Sequence, residues 1–500
     1  MLTGILCILV CVLAVIFAIF HFFDNRELFK KTNHFPGPRI LPLVGCAYQF
    51  IGDSAHFMKQ IIRISCTYES PFRMTLGSRI FILTRDPEQI KTILQSSKTV
   101  EKAYVYDFAK PWVGNGLVTA EHKIWRNHRK MIQPTFNQKI LQSFISIFQR
   151  NSILLTKTFE KEINGPEFEI SPHVAFMSVS NICETSMGVS VETQKEDVEQ
   201  FYNFSKRVFY VLFKRLIQIW LHSDLLFSMS LLAKSFNGYV TFIHNFTDEV
   251  IQKKRETLKI KSDDIEEDCP KMRKPTLDFL LQLSDKEHFT DKEIREEVVT
   301  LITAGSDTTG RTMDFVLFML AIHPEVQEKV YEEIFSVYGS DDSEKNPVKF
   351  EDLHNFMYLE RVIKETMRLF PIVPFIARLV LEDLELDGQT VPKDCSAVIL
   401  VLALHRNEKI WPDPLKFDPD RFLPEEVNKR HPCAYIPFSF GPKDCIGRVY
   451  AMISMKVSII TLLRKYILKK DEITEVKNIK LKMETILLCS KPITLRIEKR

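Results

Sequence analysis

The sequence predicts a mainly α-helical fold with a smaller β portion, and three observations support this prediction. Glycine accounts for only 16 of the 500 residues, which leaves little room for repeated glycine-rich turns. From Asp86 to about residue 370, apolar residues recur at helical spacing. The stretch from Asp291 to Pro324 has no proline before its end, so it can form one helix of about 32 residues that crosses the core.

Composition excludes several classes of protein. With 45% hydrophobic and 26% charged residues, the chain has the composition of a globular protein and not of a disordered chain or a polytopic transporter. The 67 basic residues nearly balance the 64 acidic ones, so nucleic acid is not an expected partner. The ten cysteines include no C-x-x-C pair, which argues against a zinc ribbon or a disulfide framework and favours a reducing compartment.

The first element, residues 1–23, is predicted to be a transmembrane anchor. No charged residue occurs between Met1 and Phe23, and this length can cross a hydrocarbon core about 30 Å thick. A cleaved signal peptide is the alternative, but such a peptide normally starts with basic residues and ends on small ones. Here the basic residues follow the apolar run, so the positive-inside rule places the rest of the chain in the cytosol.

A basic, proline-rich connector over residues 24–45 follows the anchor. It contains Phe35-Pro36-Gly37-Pro38-Arg39, and proline at this density predicts a stiff, extended segment. Residues 46–500 then form one domain. Within it, Phe72 to Thr84 is predicted to form a hairpin around Gly77-Ser78, and further strand signals appear only after the helical region.

Two glycines near residue 115 are typical of a turn. Asn-Gly is a common turn dipeptide, and the sequence here is Gly114-Asn115-Gly116. A fragment of a dinucleotide-binding fingerprint is the alternative, but the third glycine of that fingerprint is missing. The turn is therefore the favoured interpretation.

The predicted long helix contains a polar break, Ala304-Gly305-Ser306-Asp307-Thr308-Thr309-Gly310. Buried polar groups and interior glycine both cost free energy, glycine about 1 kcal/mol, so the break indicates a functional site rather than packing. A phosphate-binding loop is the alternative, since Gly305 and Gly310-Arg311-Thr312 approach its pattern. Arginine replaces the required lysine and Asp307 would lie among phosphates, which disfavours nucleotide binding.

A second candidate site lies near the C-terminus. The segment Pro437-Phe438-Ser439-Phe440-Gly441-Pro442-Lys443-Asp444-Cys445-Ile446-Gly447 precedes an apolar helical run from Val449 to about Tyr466. Backbone amides and the helix dipole stabilise a thiolate at a helix start, and Gly441 and Gly447 would let the backbone approach a flat partner. A buried structural cysteine is the usual alternative, but these surroundings favour a site.

Three sets of residues occur in one order: Ala304-Gly305-x-Asp307-Thr308-Thr309, then Glu365-x-x-Arg368 with Pro419-Asp420-Arg421-Phe422, then Phe438-x-x-Gly441-x-Lys443-x-Cys445-x-Gly447. In this combination the chain resembles the cytochrome P450 superfamily from the anchor to the C-terminal strands. The run from Trp125 to Lys130 and the run from Tyr358 to Phe422 look like the microsomal branch of fatty-acid omega-hydroxylases and related insect enzymes. The resemblance implies the cytochrome P450 fold in a single catalytic domain.

The resemblance also implies a b-type haem. Cys445 would be the axial thiolate ligand of the iron, with Phe438 packed beside it and the amides that follow, including that of Gly447, tuning its charge. Ala304 would lie at the haem, where many omega-hydroxylases carry a glutamate bonded covalently to haem. Alanine cannot form this bond, which weakens the fatty-acid omega-hydroxylase interpretation without excluding it.

Charged residues would hold the haem and complete the site. Trp125, Arg129 and Arg378 look like the propionate partners, and Lys443 replaces the usual arginine or histidine, which keeps the charge but loses the planar fork. The acid and the alcohol that deliver protons would be Asp307 and Thr308. A buried structural network near the haem would join three charged residues, Glu365, Arg368 and Arg421.

The implied function is that of a membrane-bound monooxygenase that hydroxylates or epoxidises a hydrophobic fatty acid, hormone, odorant or xenobiotic. Electrons would come from NADPH–cytochrome P450 reductase, with cytochrome b5 as a second donor, because the chain has no flavin or nicotinamide fingerprint. Lys130, Lys443 and Arg448 would face the reductase. The enzyme would be a single-pass protein of the endoplasmic reticulum membrane with its catalytic domain in the cytosol.

Substrate contacts are predicted only by region: Tyr104 to Val118, residues 201–246, Leu301, Ala304, Val373 to Phe375, and the turn near Cys489. A haem-binding carrier or sensor without turnover is the second function class, but it would have no use for the proton relay of Asp307 and Thr308.

Overall fold

The computed structural model describes Val12 and residues 26–189, 194–263, 275–284, 289–340 and 343–500, with the backbone alone for residues 259–263. Apart from Val12, the predicted anchor lies outside the described residues. Among the described residues, no helix combines the length and the hydropathy that a membrane span needs.

The fold is mainly helical, which confirms the predicted class. The α-helices of the described residues are α1 (Arg26–Lys31), α2 (Ser54–Thr67), α3 (Pro87–Gln95), α4 (Lys110–Val113), α5 (His122–Ile132), α6 (Gln138–Ser143), α7 (Ile145–Phe159), α8 (Ser171–Ser186), α9 (Lys195–Ile217), α10 (Asp224–Ser228), α11 (Leu231–Asp263), α12 (Thr276–Ser284), α13 (Asp291–Ile322), α14 (Pro324–Tyr338), α15 (Met357–Leu369), α16 (Val401–His405), α17 (Pro424–Asn428) and α18 (Arg448–Leu463).

The smaller β portion is gathered into short sheets. The strands of the described residues are β1 (Phe72–Leu76), β2 (Arg79–Thr84), β3 (Glu101–Lys102), β4 (Phe168–Glu169), β5 (Phe375–Leu379), β6 (Leu384–Leu386), β7 (Gln389–Val391), β8 (Ser396–Leu400), β9 (Tyr466–Lys469), β10 (Leu481–Glu484), β11 (Ile486–Cys489) and β12 (Thr494–Lys499). The largest sheet has the order β1-β2-β8-β5-β3, in which β2 and β8 are parallel and the other neighbours antiparallel.

The predicted hairpin is confirmed. Strands β1 and β2 pair antiparallel with Leu76 opposite Arg79, and Gly77 turns with a φ of 60°. Two further strands, β3 and β4, lie inside the region where only helices were expected. Each has two residues, too few to show an alternating pattern, and each forms by pairing with a strand that is distant in the chain.

The proline-rich connector packs directly on this sheet. The amide of Arg73 in β1 donates to the carbonyl of Pro36 at 2.7 Å. A Cβ atom on Gly37 would lie 2.1 Å from the Arg73 carbonyl oxygen, and Phe35 is buried beside it. Residues 35–37 are therefore part of the packed domain as well as a link to the preceding chain.

The predicted long helix is also confirmed as α13. Thr290 and Glu293 form a reciprocal capping box at its start, and it ends before Pro324. The glycines of the polar break face α8, because a Cβ on Gly305 would lie 2.9 Å from Ile182 and one on Gly310 would lie 3.2 Å from Ser178. Residues 305–310 are helical throughout, so the alternative of a phosphate-binding loop is wrong.

Helix α18 ends earlier than the sequence predicted. It spans Arg448–Leu463, whereas the apolar run continues to about Tyr466. Tyr466 instead begins β9, where it pairs with Lys499 of β12 and donates its hydroxyl to the Thr156 carbonyl at 2.8 Å. Pairing with a distant strand therefore overrides the local helical pattern.

Candidate functional site

The segment of residues 437–447, here called the cysteine loop, is held in a tight turn. The amide of Cys445 donates to the carbonyl of Phe438 at 2.9 Å, and Ser439 and Gly441 have φ angles of 65° and 77°. A Cβ on Gly441 would lie 2.6 Å from the carbonyl oxygen of Leu94 at the end of α3. Glycine is therefore required at 441 by the turn and by close packing on α3, and the approach of a flat ligand to Gly441 stays a prediction. A Cβ on Gly447 would make only an ordinary contact, 3.9 Å from the Cys445 sulfur.

The Cys445 side chain is solvent-accessible and lies three residues before the start of α18. The protein around it nevertheless raises the pKa of the thiol, because desolvation outweighs the hydrogen bond from the Gly447 amide and the nearby positive charges. The Gly447 amide lowers the pKa of the Cys445 thiol, as the sequence predicts, but the loop alone does not stabilise a free thiolate. Coordination to a metal cation deprotonates a thiol, so the site is suited to a ligand that brings a cation.

Three cations, from Lys102, Arg378 and Lys443, lie together beside the cysteine loop. Burial lowers the pKa of all three side chains, that of Lys443 to about 8. The Lys443 Nζ is buried without a hydrogen-bond partner among the described residues and lies 5.0 Å from the centre of the Trp125 ring. Glu101 opposes the shift at Lys443, but its carboxylate accepts hydrogen bonds from the amide of His122.

This cluster is suited to an anionic ligand. Buried charges are costly unless they are paired, and the neighbouring cations lower the pKa values of Lys102 and Lys443 further. A ligand with carboxylates would supply the missing counter-charge. Because the Lys443 ammonium is buried, it cannot form part of a surface for a reductase, and that prediction is wrong.

Arg129 braces the cysteine loop. Its guanidinium donates to the carbonyl and to the carboxylate of Asp444, both at 2.9 Å. Arg448 binds the other carboxylate oxygen of Asp444 at 2.8 Å. Trp125 lies one turn earlier on α5, stacked on His122. The described contacts therefore join α5 to the cysteine loop, and a propionate contact of Arg129 stays a prediction.

Helix α13 is buried from Glu296 to Ile322 except at Ala304, Gly305 and Thr308. Ala304 is exposed, and the Thr308 hydroxyl donates to the Ala304 carbonyl at 2.7 Å. An exposed patch in the middle of a buried helix indicates that a cavity reaches the helix there. Ala304 and Thr308 are one helical turn apart and therefore lie on the same face.

Asp307 lies in a buried charge cluster. Arg311 lies 3.5 Å from Asp307 Oδ1 and 3.0 Å from Asp314, and it donates to the Tyr202 hydroxyl at 3.1 Å. Desolvation raises the pKa of Asp307 in spite of the opposing charge of Arg311. Its Oδ1 atom makes no hydrogen bond among the described residues. The acid Asp307 and the alcohol Thr308 are therefore neighbours on α13, but no hydrogen bond joins Asp307 Oδ1 to the Thr308 hydroxyl.

Glu365 and Arg368 form a fully buried ion pair on α15. Arg368 donates to both carboxylate oxygens, at 2.6 and 2.7 Å, and to the carbonyls of His405 and Pro414. Arg421 lies 3.6 Å from Glu365. The structure therefore brings together the three residues that the sequence grouped as a structural network.

The network reaches the cysteine loop through His405. Burial lowers the pKa of His405 to about 3, so its ring is neutral at physiological pH. Its Nε2 atom accepts a hydrogen bond from the amide of Ile436, at 2.9 Å, one residue before the cysteine loop begins. The ion pair thus supports the backbone that leads into the loop.

Sequence reasoning missed Lys102. It lies in the two-residue strand β3, directly opposite Arg378 of β5, so the two side chains share one face of the sheet. No local pattern marks it, because its role depends on the pairing of two strands that are far apart in the chain. A buried lysine beside a second cation becomes recognisable only in the folded structure.

Comparisons with known proteins agree with this geometry. A family model described as Cytochrome P450 matches residues 35–497. Cytochrome P450 4c21 of Blattella germanica is 36% identical and cytochrome P450 4V2 of Homo sapiens is 35% identical, covering 95% and 92% of this chain and 95% and 89% of their own length. Cytochrome P450 4c3 of Drosophila melanogaster is 34% identical, over 90% of this chain and 87% of its own.

A solved structure shares the fold. The crystal structure of the cytochrome P450DA heme domain superposes with a TM-score of 0.78 at 21% identity, over 93% of this chain and 98% of the other. Helical packing around α13 and a cysteine loop ahead of α18 define the class of P450-type monooxygenases. The chain belongs to the cytochrome P450 superfamily and, within it, to family 4, which includes insect enzymes and human 4V2. The resemblance in the sequence is thereby confirmed.

The family implies a haem held by a cysteine thiolate, and the residues present fit this group. The cysteine is accessible, and the cations of Lys102, Arg378 and Lys443 are suited to carboxylates such as haem propionates.

This fit gives a first prediction. Replacing Lys443 by methionine removes one cation of the cluster, and we expect haem affinity to fall by about tenfold, the range of one charge-assisted hydrogen bond. Lys443→Arg keeps the charge and is expected to hold haem within about threefold of the natural protein. Transfer of haem to excess apomyoglobin measures the difference. Equal transfer rates for all three proteins would contradict this role of Lys443.

Proposed function

We propose that this protein is a membrane-bound haem-thiolate monooxygenase that inserts one oxygen atom of dioxygen into a hydrophobic small molecule. The observation that carries the proposal is the exposed patch of Ala304, Gly305 and Thr308 in the otherwise buried middle of α13. The substrate class extends over fatty acids, hormones, odorants and xenobiotics. The domain organisation is an anchor at residues 1–23, a connector at 24–45 and a catalytic domain at 46–500.

In this proposal, the Cys445 thiolate would hold the haem iron, with Phe438 packed beside it. Lys443, Arg378 and Lys102 bind the propionates, with Trp125 and Arg129 alongside. Gly447 and Ala304 would lie at the haem, and haem, when bound, would supply the redox chemistry that activates dioxygen. Among the described residues, the side chains of Lys102, Arg378 and Lys443 form no ion pair with a protein carboxylate, and burial lowers the pKa of all three, which supports their assignment to a carboxylate-bearing cofactor.

Asp307 and Thr308 deliver the protons that the reaction consumes. The Thr308 hydroxyl is partly exposed beside Ala304, so it can donate a hydrogen bond into the cavity when it turns from the Ala304 carbonyl. Burial raises the pKa of Asp307, which makes its protonated form more available than that of an ordinary aspartate. A carrier or sensor would need neither group.

Membrane contact is supported by an apolar surface between α9 and α11. Four large apolar side chains are exposed there: Trp220, Leu225, Met229 and Leu231. Soluble proteins rarely expose contiguous apolar surface, and Trp and Leu are typical of side chains that enter a bilayer interface. In this proposal the surface rests on the endoplasmic reticulum membrane, with the catalytic domain in the cytosol.

Electrons come from a separate donor. NADPH–cytochrome P450 reductase is the proposed partner, with cytochrome b5 as a second donor. Lys130 and Arg448 remain candidates for the docking surface, since both are exposed near the cysteine loop. Positive charge there would complement an acidic partner.

The experiment that tests the proposal is reconstituted turnover with the reductase, NADPH and candidate substrates, for the natural protein and for Thr308→Ala. Loss of the Thr308 hydroxyl removes one proton donor, and such a group contributes a factor of about 10² to the rate. We expect NADPH consumption to continue while organic product falls by about ten- to a hundredfold and reduced oxygen species replace it. Thr303→Ala, a buried threonine five residues earlier on α13, is the matched control and should retain its product yield. Equal product yields for Thr308→Ala and the control would contradict the proton-delivery role.

A further inference from the structure

Two buried glutamates of α13 hold the turn of residues 114–117, here called the glycine turn. The amide of Asn115 donates to Glu296 Oε2 at 2.9 Å, and the amide of Leu117 donates to Glu297 Oε2 at 3.1 Å. Both glutamates are buried, Glu297 completely. Hydrogen bonds from an amide to a carboxylate are stronger than those between neutral groups, so the two carboxylates fix the turn on the helix.

The two glycines make this close approach possible. A Cβ on Gly114, whose φ is 57°, would lie 2.0 Å from the carboxyl carbon of Glu296. A Cβ on Gly116 would lie 2.1 Å from the hydroxyl oxygen of Thr300 and 2.8 Å from the Glu296 carbonyl oxygen. No side chain fits between the turn and α13. The turn that the sequence predicts at Gly114-Asn115-Gly116 is therefore also a contact with the long helix.

Glu297 also ties the turn to α5. Its Oε1 atom lies 2.7 Å from His128 Nδ1, and the other ring nitrogen of His128 lies 3.7 Å from Glu293. Helix α5 carries Trp125 and Arg129, which contact the cysteine loop. One buried carboxylate thus connects α13, the glycine turn and the helix that braces the cysteine loop.

The glycine turn lies next to the exposed patch of α13. Thr300, on which Gly116 packs, is one helical turn before Ala304, about 6 Å along the axis. On its other side, the chain leading into the turn meets α11 and α9: the carbonyl of Trp112 lies 2.6 Å from His244 Nε2, and the indole ring packs edge-on against Phe209. The turn therefore forms part of the wall beside the patch.

We propose that Glu296 and Glu297 form a carboxylate clamp that fixes the glycine turn beside Ala304 and thereby sets which carbon atom of the substrate is oxidised. This inference rests on the proposed monooxygenase function. Both glutamates are positioning residues, because they act through the backbone of the turn. A displacement of the turn by a fraction of an ångström changes which carbon lies nearest the reacting centre.

The test compares the natural full-length, haem-loaded protein with Glu296→Gln, Glu297→Gln and Gly116→Ala. The glutamine variants keep the shape of the glutamate side chain but remove its negative charge. Gly116→Ala leaves both carboxylates in place and pushes the glycine turn away from Thr300. Glu332→Gln, at an exposed position of α14, is the matched control. Two quantities are measured: hydrogen exchange of the amides of residues 114–120, and the product distribution from straight-chain fatty acids, from decanoic to hexadecanoic acid.

We expect hydrogen exchange of the amides of residues 114–120 to become about tenfold faster in the three variants. Each glutamine variant loses a charge-assisted hydrogen bond, and Gly116→Ala distorts the geometry of these bonds. The ratio of products oxidised at neighbouring carbons is expected to shift by at least about threefold, while total turnover stays within about threefold of the natural rate. The control should match the natural protein in both measurements.

Three results would overturn the inference. Unchanged exchange would show that the carboxylates do not hold the turn. Faster exchange with an unchanged product ratio, even with reduced haem occupancy, would show that the clamp is structural only. A natural protein that oxidises none of the acids would overturn the clamp's role in selecting a carbon of a straight-chain acid, whereas the proposed function fails separately, when the natural protein turns over none of the candidate substrates with the reductase and NADPH.

Discussion

Replacing Cys445 by serine is expected to lower monooxygenase activity by at least about a thousandfold, because an alcohol cannot replace the electron-donating thiolate as an axial ligand. The side chain is accessible, and the hydrogen bond that closes the loop runs from the Cys445 amide to the carbonyl of Phe438, which serine keeps. The fold should therefore survive. The measurement is the absorption spectrum of the ferrous protein with carbon monoxide, followed by turnover.

The natural protein should show the strongly red-shifted Soret band of a thiolate ligand, and Cys445→Ser should lack it. Cys66→Ser is the matched control, since Cys66 is also a free, accessible cysteine but lies on α2. A red-shifted band that persists in Cys445→Ser would falsify the ligand assignment. A natural protein that is folded and supplied with haem, yet binds none, would overturn the proposed function as a whole.

Glu365→Ala is expected to have the largest effect on stability, a loss of about 3–5 kcal/mol in the free energy of unfolding. Arg368 is completely buried, and Glu365 supplies its carboxylate partner. Removing the carboxylate strands this charge and also frees the amide of Asp418, which donates to Glu365 at 3.0 Å. Because the network leads through His405 to Ile436, the cysteine loop should lose its support and haem should be poorly retained.

The measurements are denaturant unfolding of whatever soluble protein is obtained and the haem content per chain. Glu365→Gln keeps an acceptor for the Asp418 amide and should fall between the alanine variant and the natural protein. Glu332→Ala, on the exposed face of α14, should change stability by less than about 0.5 kcal/mol. Soluble Glu365→Ala with full haem content would count against a supporting role for the network.

The long helix and the hairpin were predictable because each depends on residues that are neighbours in the chain. A proline-free run of helical spacing, ended by Pro324, marks α13, and the turn dipeptide Gly77-Ser78 between two short apolar runs marks β1 and β2. The order of the three motifs was likewise sufficient for the family, which the comparisons confirm. The end of α18 was predicted three residues too late, since its local pattern continues into a segment that pairs with β12.

The reasons for individual glycines were less predictable than their presence. Gly441 suggested room for a flat ligand, and the structure shows that it is also required by close packing on the carbonyl of Leu94. Gly116 was predicted in a turn and is also needed for contact with Thr300. A glycine in a sequence indicates that some group comes close, but it does not indicate which one.

The sequence by itself determined the class of the fold, the family, the candidate ligand Cys445 and the ion pair of Glu365 and Arg368, because short motifs and helical spacing carry this information locally. Only the tertiary structure decided that Lys102 joins Arg378 and Lys443, that Lys443 is buried and not on a docking surface, and that Glu296 and Glu297 hold the glycine turn. The physical reason is that these interactions join residues far apart in the chain. Burial and pairing of charge arise only when strands and helices pack, so no local pattern can encode them.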